Sequence, residues 1–315
     1  MTSGRIDTHH HHYPKAYLAR IDDVLRRTTH AFYPRLVQWQ PAQAIEAMDK
    51  AGIAIAVLSI GTPSVWLGDV AASRKFAREC NDATARIQAD HRGRFGNFGT
   101  LPLPDVDGSL REIEYLYDTL RADGIGLSTN YDDKYPGDEA FAPVFDELNR
   151  RKAVVYFHPT PASFAFDRVK DIPPPTLEFP FDTTRAVASL MFGGTLARCP
   201  DIRWIFSHGG GTLPILAGRI VGLARNRPEL AARAPNGVLA QLRRLYYDVV
   251  AIRTPGAFAA LREIADPARL LFGTDFPFWP PQETVDALAA LNLTTTERAA
   301  IERGNALALL PRLEG

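Results

Sequence analysis

The sequence predicts an α/β fold, a (β/α)8 TIM barrel, because short apolar segments alternate with helical segments along almost the whole chain. Eight such units in about 280 residues suit a closed barrel, which typically takes about 250 residues. An open, doubly wound sheet is the alternative, but no GxGxxG motif follows the first strand, which disfavours dinucleotide binding. No internal repeat or low-complexity linker divides the chain, so we predict one domain over residues 1–315.

Eight short segments carry the predicted strands, and the segment at 53–60 is among the clearest because it is rich in β-branched residues. Turn residues or helical stretches separate each segment from the next, as parallel strands with crossover helices require. The predicted strands are 5–12, 53–60, 94–103, 124–130, 153–160, 202–210, 245–251 and 270–278.

Six segments between these strands have apolar residues at helical spacing, namely 41–52, 73–90, 109–124, 140–151, 183–200 and 254–266. Two other connections are long, at 13–40 and 161–182, and the second contains DIPPPTLEFP, which is too rich in proline to predict a helix. Long loops after barrel strands usually shape the active site. We therefore expect both loops, together with residues 279–283, to set specificity.

The composition excludes several classes of function. Lys+Arg and Asp+Glu number 36 each, so the net charge gives no electrostatic case for nucleic acid or an anionic membrane as a partner. No apolar run reaches the roughly 20 residues of a membrane span, and the start of the chain lacks the apolar core of a secretion signal. Cys80 and Cys199 form no CxxC pair and suit small core positions. We expect a cytoplasmic protein that acts on a small molecule.

The stretch RIDTHHHHYPKAY contains four consecutive histidines, which resemble the remnant of an expression tag. The preceding residues read instead like the body of a strand, whose side chains alternate between two faces. Alternation places Asp7, His9 and His11 on one face, and His10 and His12 on the other, towards the helices. Two imidazoles side by side on a strand suit a divalent metal.

Three further polar residues lie at predicted strand ends. His158 ends the fifth strand, His208 ends the sixth before three glycines, and Asp275 lies near the end of the eighth. Each alone is more often a structural or capping residue. In a barrel, however, the carboxyl ends of the strands meet at one rim, where these side chains join His9 and His11 around one point. The sequence therefore predicts a shared metal site.

Four motifs in this order, IDTHHHHYP, YFHPTP, IFSHGGGTLP and LLFGTDFPF, resemble the amidohydrolase superfamily. More narrowly, they resemble its amidohydrolase-related branch, which contains aminocarboxymuconate-semialdehyde decarboxylase and the 6-methylsalicylate decarboxylases. The resemblance covers nearly the whole chain and is most specific over residues 179–220. It implies a barrel of the metal-dependent hydrolase type with one divalent metal ion, Zn²⁺ as first choice and Mn²⁺ as alternative. It also implies a homodimer.

The resemblance implies a role for each polar residue at the rim. His9 and His11 match the HxH metal ligands, and His158 matches the ligand on the fifth strand. Asp275 matches the acid on the eighth strand, which contacts the metal and moves protons. His208 matches a histidine that is usually catalytic rather than a tight ligand.

Two other positions refine this comparison. Arg219 matches a position that helps to bind a substrate carboxylate, sometimes across a dimer interface. The fourth strand, GIGLSTN, lacks the carbamylated lysine of binuclear relatives, and Lys134 follows only in a loop, so the resemblance implies one metal ion.

Two reactions suit such a site. The first is non-oxidative decarboxylation of a small aromatic or unsaturated carboxylic acid, with Asp275 as proton donor and His208 as relay. The second is hydrolysis of a lactone, cyclic ester or amide, with Asp275 as base for a metal-bound water whose pKa falls towards about 7. We favour decarboxylation, mainly on the resemblance, because fold class alone selects no function. A non-enzymatic binding module is a third alternative.

Aromatic residues near the predicted rim suit a planar apolar acid as substrate. Tyr13 follows the first strand, Phe164 and Phe166 follow the fifth, and Phe278 and Trp279 end the eighth. Ordinary core packing is the alternative for each of them. We select Tyr13, Phe278 and Trp279 as candidate substrate-binding residues.

Overall fold

The computed structural model describes residues 4–29, 32–165 and 169–314, so that Phe166 lies outside the described residues. Eight parallel strands follow one another in chain order. Backbone N–H groups of Thr8 and His11 donate to the carbonyls of Phe272 and Phe276, at 3.0 and 2.8 Å, and join the first strand to the last. The predicted (β/α)8 barrel is confirmed. Its strands are β1 (Arg5–His11), β2 (Ile53–Ser59), β3 (Phe95–Thr100), β4 (Gly124–Ser128), β5 (Val154–His158), β6 (Arg203–Phe206), β7 (Tyr246–Asp248) and β8 (Leu270–Leu271).

Helices surround the barrel, and two π-helical turns extend this layer at Tyr115–Thr119 and Ala300–Gly304. No helix in the described part of the chain is both long and apolar enough to cross a membrane. The α-helices are α1 (Lys15–Thr29), α2 (Tyr33–Val37), α3 (Pro41–Lys50), α4 (Val70–Asp90), α5 (Val106–Glu114), α6 (Ala142–Arg150), α7 (Pro174–Phe192), α8 (Thr195–Arg198), α9 (Leu213–Asn226), α10 (Pro228–Ala231), α11 (Val238–Arg243), α12 (Pro255–Ile264), α13 (Gln282–Ala289), α14 (Thr295–Ala299) and α15 (Asn305–Leu309).

Apolar side chains fill the interior of the barrel below its carboxyl rim. Inward-pointing side chains of the strands form one buried cluster that includes Ile6, Ile55, Val57, Phe98, Tyr156, Ile205 and Leu271. A larger cluster packs between the strands and the helices and includes Cys80 and Cys199, both free and buried. The interior is therefore a packed core, and polar chemistry is confined to the rim.

Both long connections contain helices, so the prediction of two loops was wrong in this respect. The first carries α1 and α2, and the second carries the start of α7. The helix α7 begins inside DIPPPTLEFP because Pro174 and Pro175 occupy its first positions, where a backbone N–H has no partner within the helix. Pro180 removes one further backbone bond without ending the helix. Proline content therefore marked the start of α7 rather than a loop.

Candidate metal and substrate site

A β-bulge orients the histidines of β1. Residues 7–10 of β1 span the same length as residues 56–58 of β2, so one extra residue interrupts the alternation of side chains. His9 and His11 both point to the mouth of the barrel, as predicted. Asp7 does not share their face, contrary to the prediction, because the strand register shifts between Asp7 and His10.

The other β1 histidines point away from the mouth. The carboxylate of Asp7 accepts hydrogen bonds from Nδ1–H of His10, at 2.9 Å, and from the hydroxyl of Thr274, at 2.5 Å. His12 faces α4, where its Nε2 lies 2.6 Å from the hydroxyl oxygen of Thr84. Burial lowers the pKa of His12 to about 3, so this ring is neutral. Both side chains tie β1 to its neighbours and leave the mouth to His9 and His11.

Three ligand atoms converge at the mouth. The Nε2 atoms of His9 and His11 lie 3.1 Å apart, and each lies 3.2 Å from Oδ1 of Asp275. The ring of His158 lies beside them, 4.4 Å from the ring of His11 between centroids. Donor atoms of His9, His158, His208 and Asp275 all lie within 4.8 Å of one another. The structure brings the predicted metal ligands together.

The donor set fits a divalent cation. Oδ1 of Asp275 is buried and has no hydrogen-bond partner among the described residues, although two imidazole nitrogens face it. Ligand atoms about 2.1 Å from one ion lie roughly 3.0–3.4 Å apart, which is the spacing found here. A buried carboxylate oxygen without a partner is costly unless a cation or a donor satisfies it.

Asp248 supports this cluster and was missed in the sequence. Its Oδ2 accepts from Nδ1–H of His9 at 2.8 Å, and its Oδ1 accepts from the backbone N–H groups of His208 and Val250, at 2.9 and 3.0 Å. The bond fixes the tautomer of His9, so neutral His9 presents the lone pair of Nε2 to the cluster. An acid at the end of β7 was the signal that would have found it.

Burial and neighbouring charges shift the titration of the cluster in opposite directions. Burial acts to lower the pKa of His9, but the carboxylates of Asp248 and Asp275 raise it to about 10. Burial lowers the pKa of His11, and burial together with His11 and His9 holds the pKa of His158 well below its usual value. Burial raises the pKa of Asp275, but the neighbouring histidines lower it far more, so the carboxyl is ionised.

His208 lies at the edge of the cluster. Its Nε2 is 3.6 Å from Oδ2 of Asp275, and its backbone adopts a left-handed φ of +54°. Asp275 itself has a φ of +60°. Such angles are uncommon for residues with a Cβ and often mark functional sites. Gly211 follows with a φ of +68°, and a Cβ there would lie 2.1 Å from the carbonyl oxygen of Pro180, so glycine permits α7 to pack against this turn.

A cavity of about 680 Å³ opens above the cluster. His158, His208 and Asp275 form part of its lining, and Phe278 and Trp279 line it as predicted. The remaining lining residues are mostly apolar. Eight of them lie in the two long connections that were expected to shape the site, although none was singled out from the sequence: Phe32, Pro161, Pro173, Pro174, Pro175, Thr176, Phe179 and Pro180. The others, which lie outside those connections, are Thr62, Pro63, Thr160, Ala251 and Arg253. The volume lies in the range of small-molecule sites, and the mostly apolar lining suits an aromatic ring.

Two predicted substrate-binding residues lie away from the cavity surface. Tyr13 is buried, packs its ring against Phe278 at 6.3 Å between centroids, and has a hydroxyl without a partner among the described residues. Arg219 is exposed on α9 and is not among the lining residues. Phe164 is also exposed, beneath the guanidinium of Arg185. Contact of Tyr13 or Arg219 with substrate stays a prediction.

Comparisons with known proteins agree with this geometry. A family model described as amidohydrolase matches residues 6–312. Decarboxylase yanB of Aspergillus niger is 35% identical over 328 residues, covering 98% of this chain and 88% of that protein. The 6-methylsalicylic acid decarboxylase of Penicillium expansum is 33% identical, covering 99% of this chain and 98% of that protein.

Solved structures share the fold. A structure described as an amidohydrolase II is 26% identical with a TM-score of 0.87, covering 98% of this chain and 99% of the other. A dihydroxybenzoic acid decarboxylase from Polaromonas sp., determined with bound manganese and 2-nitroresorcinol, is 22% identical with a TM-score of 0.85, covering 99% of this chain and 98% of the other. By the family match along almost its whole length, the chain belongs to the amidohydrolase family.

Proposed function

We propose that the protein is a metal-dependent, non-oxidative decarboxylase, a carboxy-lyase, of a small aromatic or unsaturated carboxylic acid. The observation that carries this proposal is the cluster of imidazoles and one unsatisfied carboxylate at the floor of a mostly apolar cavity of about 680 Å³. Relatives that match 98% or more of the chain are named as decarboxylases, and two of them are named for 6-methylsalicylic acid. A hydroxybenzoate is therefore the first substrate class to test.

His9, His11, His158 and Asp275 are the proposed ligands of one divalent metal ion. When bound, the ion supplies a positive charge that can hold the substrate carboxylate and a neighbouring oxygen. Three neutral imidazoles and a carboxylate suit Zn²⁺, our first choice, and also Mn²⁺, which the Polaromonas protein binds. Elemental analysis of the purified protein decides between them.

Asp275 and His208 are the proposed catalytic residues. Decarboxylation of an aromatic acid requires a proton on the ring carbon that carries the carboxylate, so that the electrons of the breaking bond return to the ring. Asp275 lies at the cavity floor and can deliver this proton, after which CO₂ leaves and the aromatic product remains. Because its pKa is low, Asp275 must first take the proton from substrate or water. We propose that His208, whose Nε2 lies 3.6 Å from Oδ2 of Asp275, relays this proton.

The cavity wall supports the same reaction. Phe179, Phe278 and the prolines at the start of α7 provide apolar contacts for a planar ring. A carboxylate that becomes neutral CO₂ loses charge, so exclusion of water by these residues favours the products over the bound anion. We further propose that Trp279 and Tyr13 contribute to substrate binding, Trp279 directly and Tyr13 from behind Phe278.

We also propose that the protein acts as a homodimer in the cytoplasm. The apolar side chains of Phe164, Ile172 and Ile215 are exposed, and a second copy that covers them would remove apolar area from water. Arg219, exposed on α9, would then reach a substrate carboxylate only through such an arrangement. Two buried free cysteines suit a reducing compartment. Light scattering of the purified protein tests the dimer.

A substrate panel tests the reaction. Metal-loaded protein is incubated with salicylate, 6-methylsalicylate and 2,6-dihydroxybenzoate, and CO₂ and the phenolic product are measured. We expect stoichiometric CO₂ and phenol from at least one acid, and at least a 1000-fold lower rate in Asp275→Asn. A parallel lactone and cyclic amide panel tests hydrolysis. Lactone opening without CO₂ from any acid would refute the proposal.

A further inference from the structure

The cavity contains one arginine that the proposed reaction does not use. Among the described lining residues, Arg253 is the charged side chain that stands apart from the metal cluster. It follows β7 and lies at the mouth of the cavity, with 42% of its side chain exposed. A free guanidinium in this position would attract any carboxylate on the part of a substrate that faces away from the metal.

This guanidinium is not free. Nη1 of Arg253 lies 2.7 Å from Oε2 of Glu283, and its Cζ lies 4.7 Å from the ring centroid of Trp279. Glu283 is in the first turn of α13, where backbone N–H groups favour a negative charge. The ion pair and the ring together hold Arg253 in place and compensate its charge.

The rest of the wall offers no other cation among the described residues. It consists of aromatic and proline side chains with the hydroxyls of Thr62, Thr160 and Thr176. A second carboxylate on the ring would therefore lose its water against apolar groups, or would approach Arg253 and meet the charge of Glu283.

We infer that the Arg253–Glu283 pair restricts the cavity to monocarboxylic acids, with Glu283 as the specificity-determining residue. The inference rests on the proposed decarboxylase function and names its substrate class. The carboxylate that leaves is held at the metal cluster, and the remainder of the ring carries uncharged substituents. Removal of the charge of Glu283 leaves Arg253 uncompensated and creates a site for a second carboxylate.

The test compares salicylate with salicylates that carry a second carboxylate at different ring positions, namely 3-hydroxyphthalate, 2-hydroxyisophthalate and 4-hydroxyisophthalate. For each acid, kcat/KM and the calorimetric Kd are measured on metal-loaded wild type and on Glu283→Gln. We expect wild type to prefer salicylate at least tenfold over every dicarboxylate. In Glu283→Gln, the kcat/KM for at least one dicarboxylate, divided by that for salicylate, should be at least tenfold higher than in wild type.

Two further variants assign the effect. Asp286→Asn removes an equal charge from the same helix. Asp286 is exposed and accepts a hydrogen bond from Gln282. This variant should keep the ratio of dicarboxylate to salicylate kcat/KM within twofold of the wild-type ratio. The double variant Arg253→Met with Glu283→Gln should lose the gain, because no guanidinium remains to receive the second carboxylate. A gain of similar size in Asp286→Asn, or one that survives in the double variant, would overturn the inference.

The two proposals fail in different ways. If wild type releases no CO₂ from any acid, the decarboxylase proposal fails, whereas the Kd ratios still report whether Glu283 selects by charge. If wild type accepts dicarboxylates as well as salicylate, or if Glu283→Gln leaves the ratio unchanged, the inference about Glu283 is wrong even when decarboxylation is observed.

Discussion

Replacement of Asp248 by asparagine should weaken metal binding although Asp248 is not itself a ligand. Oδ1 of asparagine can still accept from the backbone N–H groups of His208 and Val250, so the rim keeps its shape. The amide NH₂ group, however, would replace the acceptor that faces Nδ1–H of His9 at 2.8 Å. Two donors then oppose each other unless His9 moves its proton to Nε2, and that nitrogen is the proposed ligand atom.

The magnitude follows from the bond that is lost. A buried hydrogen bond to a charged group contributes about 1.5–3 kcal/mol, which corresponds to roughly 10- to 150-fold in affinity. Partners that orient metal-bound histidines typically contribute about 10- to 100-fold. We therefore expect Asp248→Asn to bind Zn²⁺ at least tenfold more weakly than wild type.

The assay is competition with a chelator of known affinity, read by absorbance, with circular dichroism to verify the fold. Asp182→Asn is the matched control. Asp182 is equally buried and accepts hydrogen bonds from Asn130, at 2.8 Å, and Tyr135, at 2.6 Å, but is not part of the metal cluster. Metal affinity of Asp248→Asn within twofold of wild type would refute the tautomer argument. An equal loss in Asp182→Asn would show a general effect of perturbing the rim.

Three further predictions concern the same rim. His158→Ala should reduce the bound metal measured by elemental analysis to below half of the wild-type content, and full occupancy would exclude His158 as a ligand. Gly211→Ala should lower the free energy of unfolding by about 2 kcal/mol or more, because of its positive φ and the clash with Pro180; urea titration measures this, and an unchanged midpoint would contradict it. The metal must displace the proton of His9, whose pKa without the ion is about 10, so affinity should rise by up to about tenfold per pH unit between pH 7 and 9. A pH-independent Kd over that range would show that His9 is already neutral.

The sequence predicted the barrel and the metal cluster because both depend on regular features. Alternation of strands and helices is a long-range pattern that single misplaced boundaries do not obscure, and β5 matches its prediction closely. His9, His11 and His158 project from strand ends whose convergence follows from barrel closure alone. Side chains attached to regular strands could thus be placed without knowledge of any loop.

The features that the sequence did not predict depend on local exceptions to regular structure. The bulge in β1 turned Asp7 away from the mouth, and no residue in RIDTHHHHYP marks where an extra residue enters the pairing. The end of β8 at Leu271 leaves Asp275 in an irregular segment, so its approach to the cluster reflects a left-handed turn as well as strand phase. The cavity wall came from the start of α7, a stretch whose prolines predicted a loop.

Three buried acids contact His9, and their hydrogen bonds explain why one of them is available to a metal. Asp7 accepts four hydrogen bonds, from the backbone of His9, from Nδ1–H of His10 and from both the backbone and the hydroxyl of Thr274. Asp248 accepts three, one from the ring of His9 and two from backbone N–H groups. Both oxygens of each of these carboxylates already accept hydrogen bonds, so neither acid can approach a cation without abandoning donors that stay buried. Oδ1 of Asp275 has no donor among the described residues and faces two imidazoles, and this difference supports Asp275 as the proposed acidic ligand.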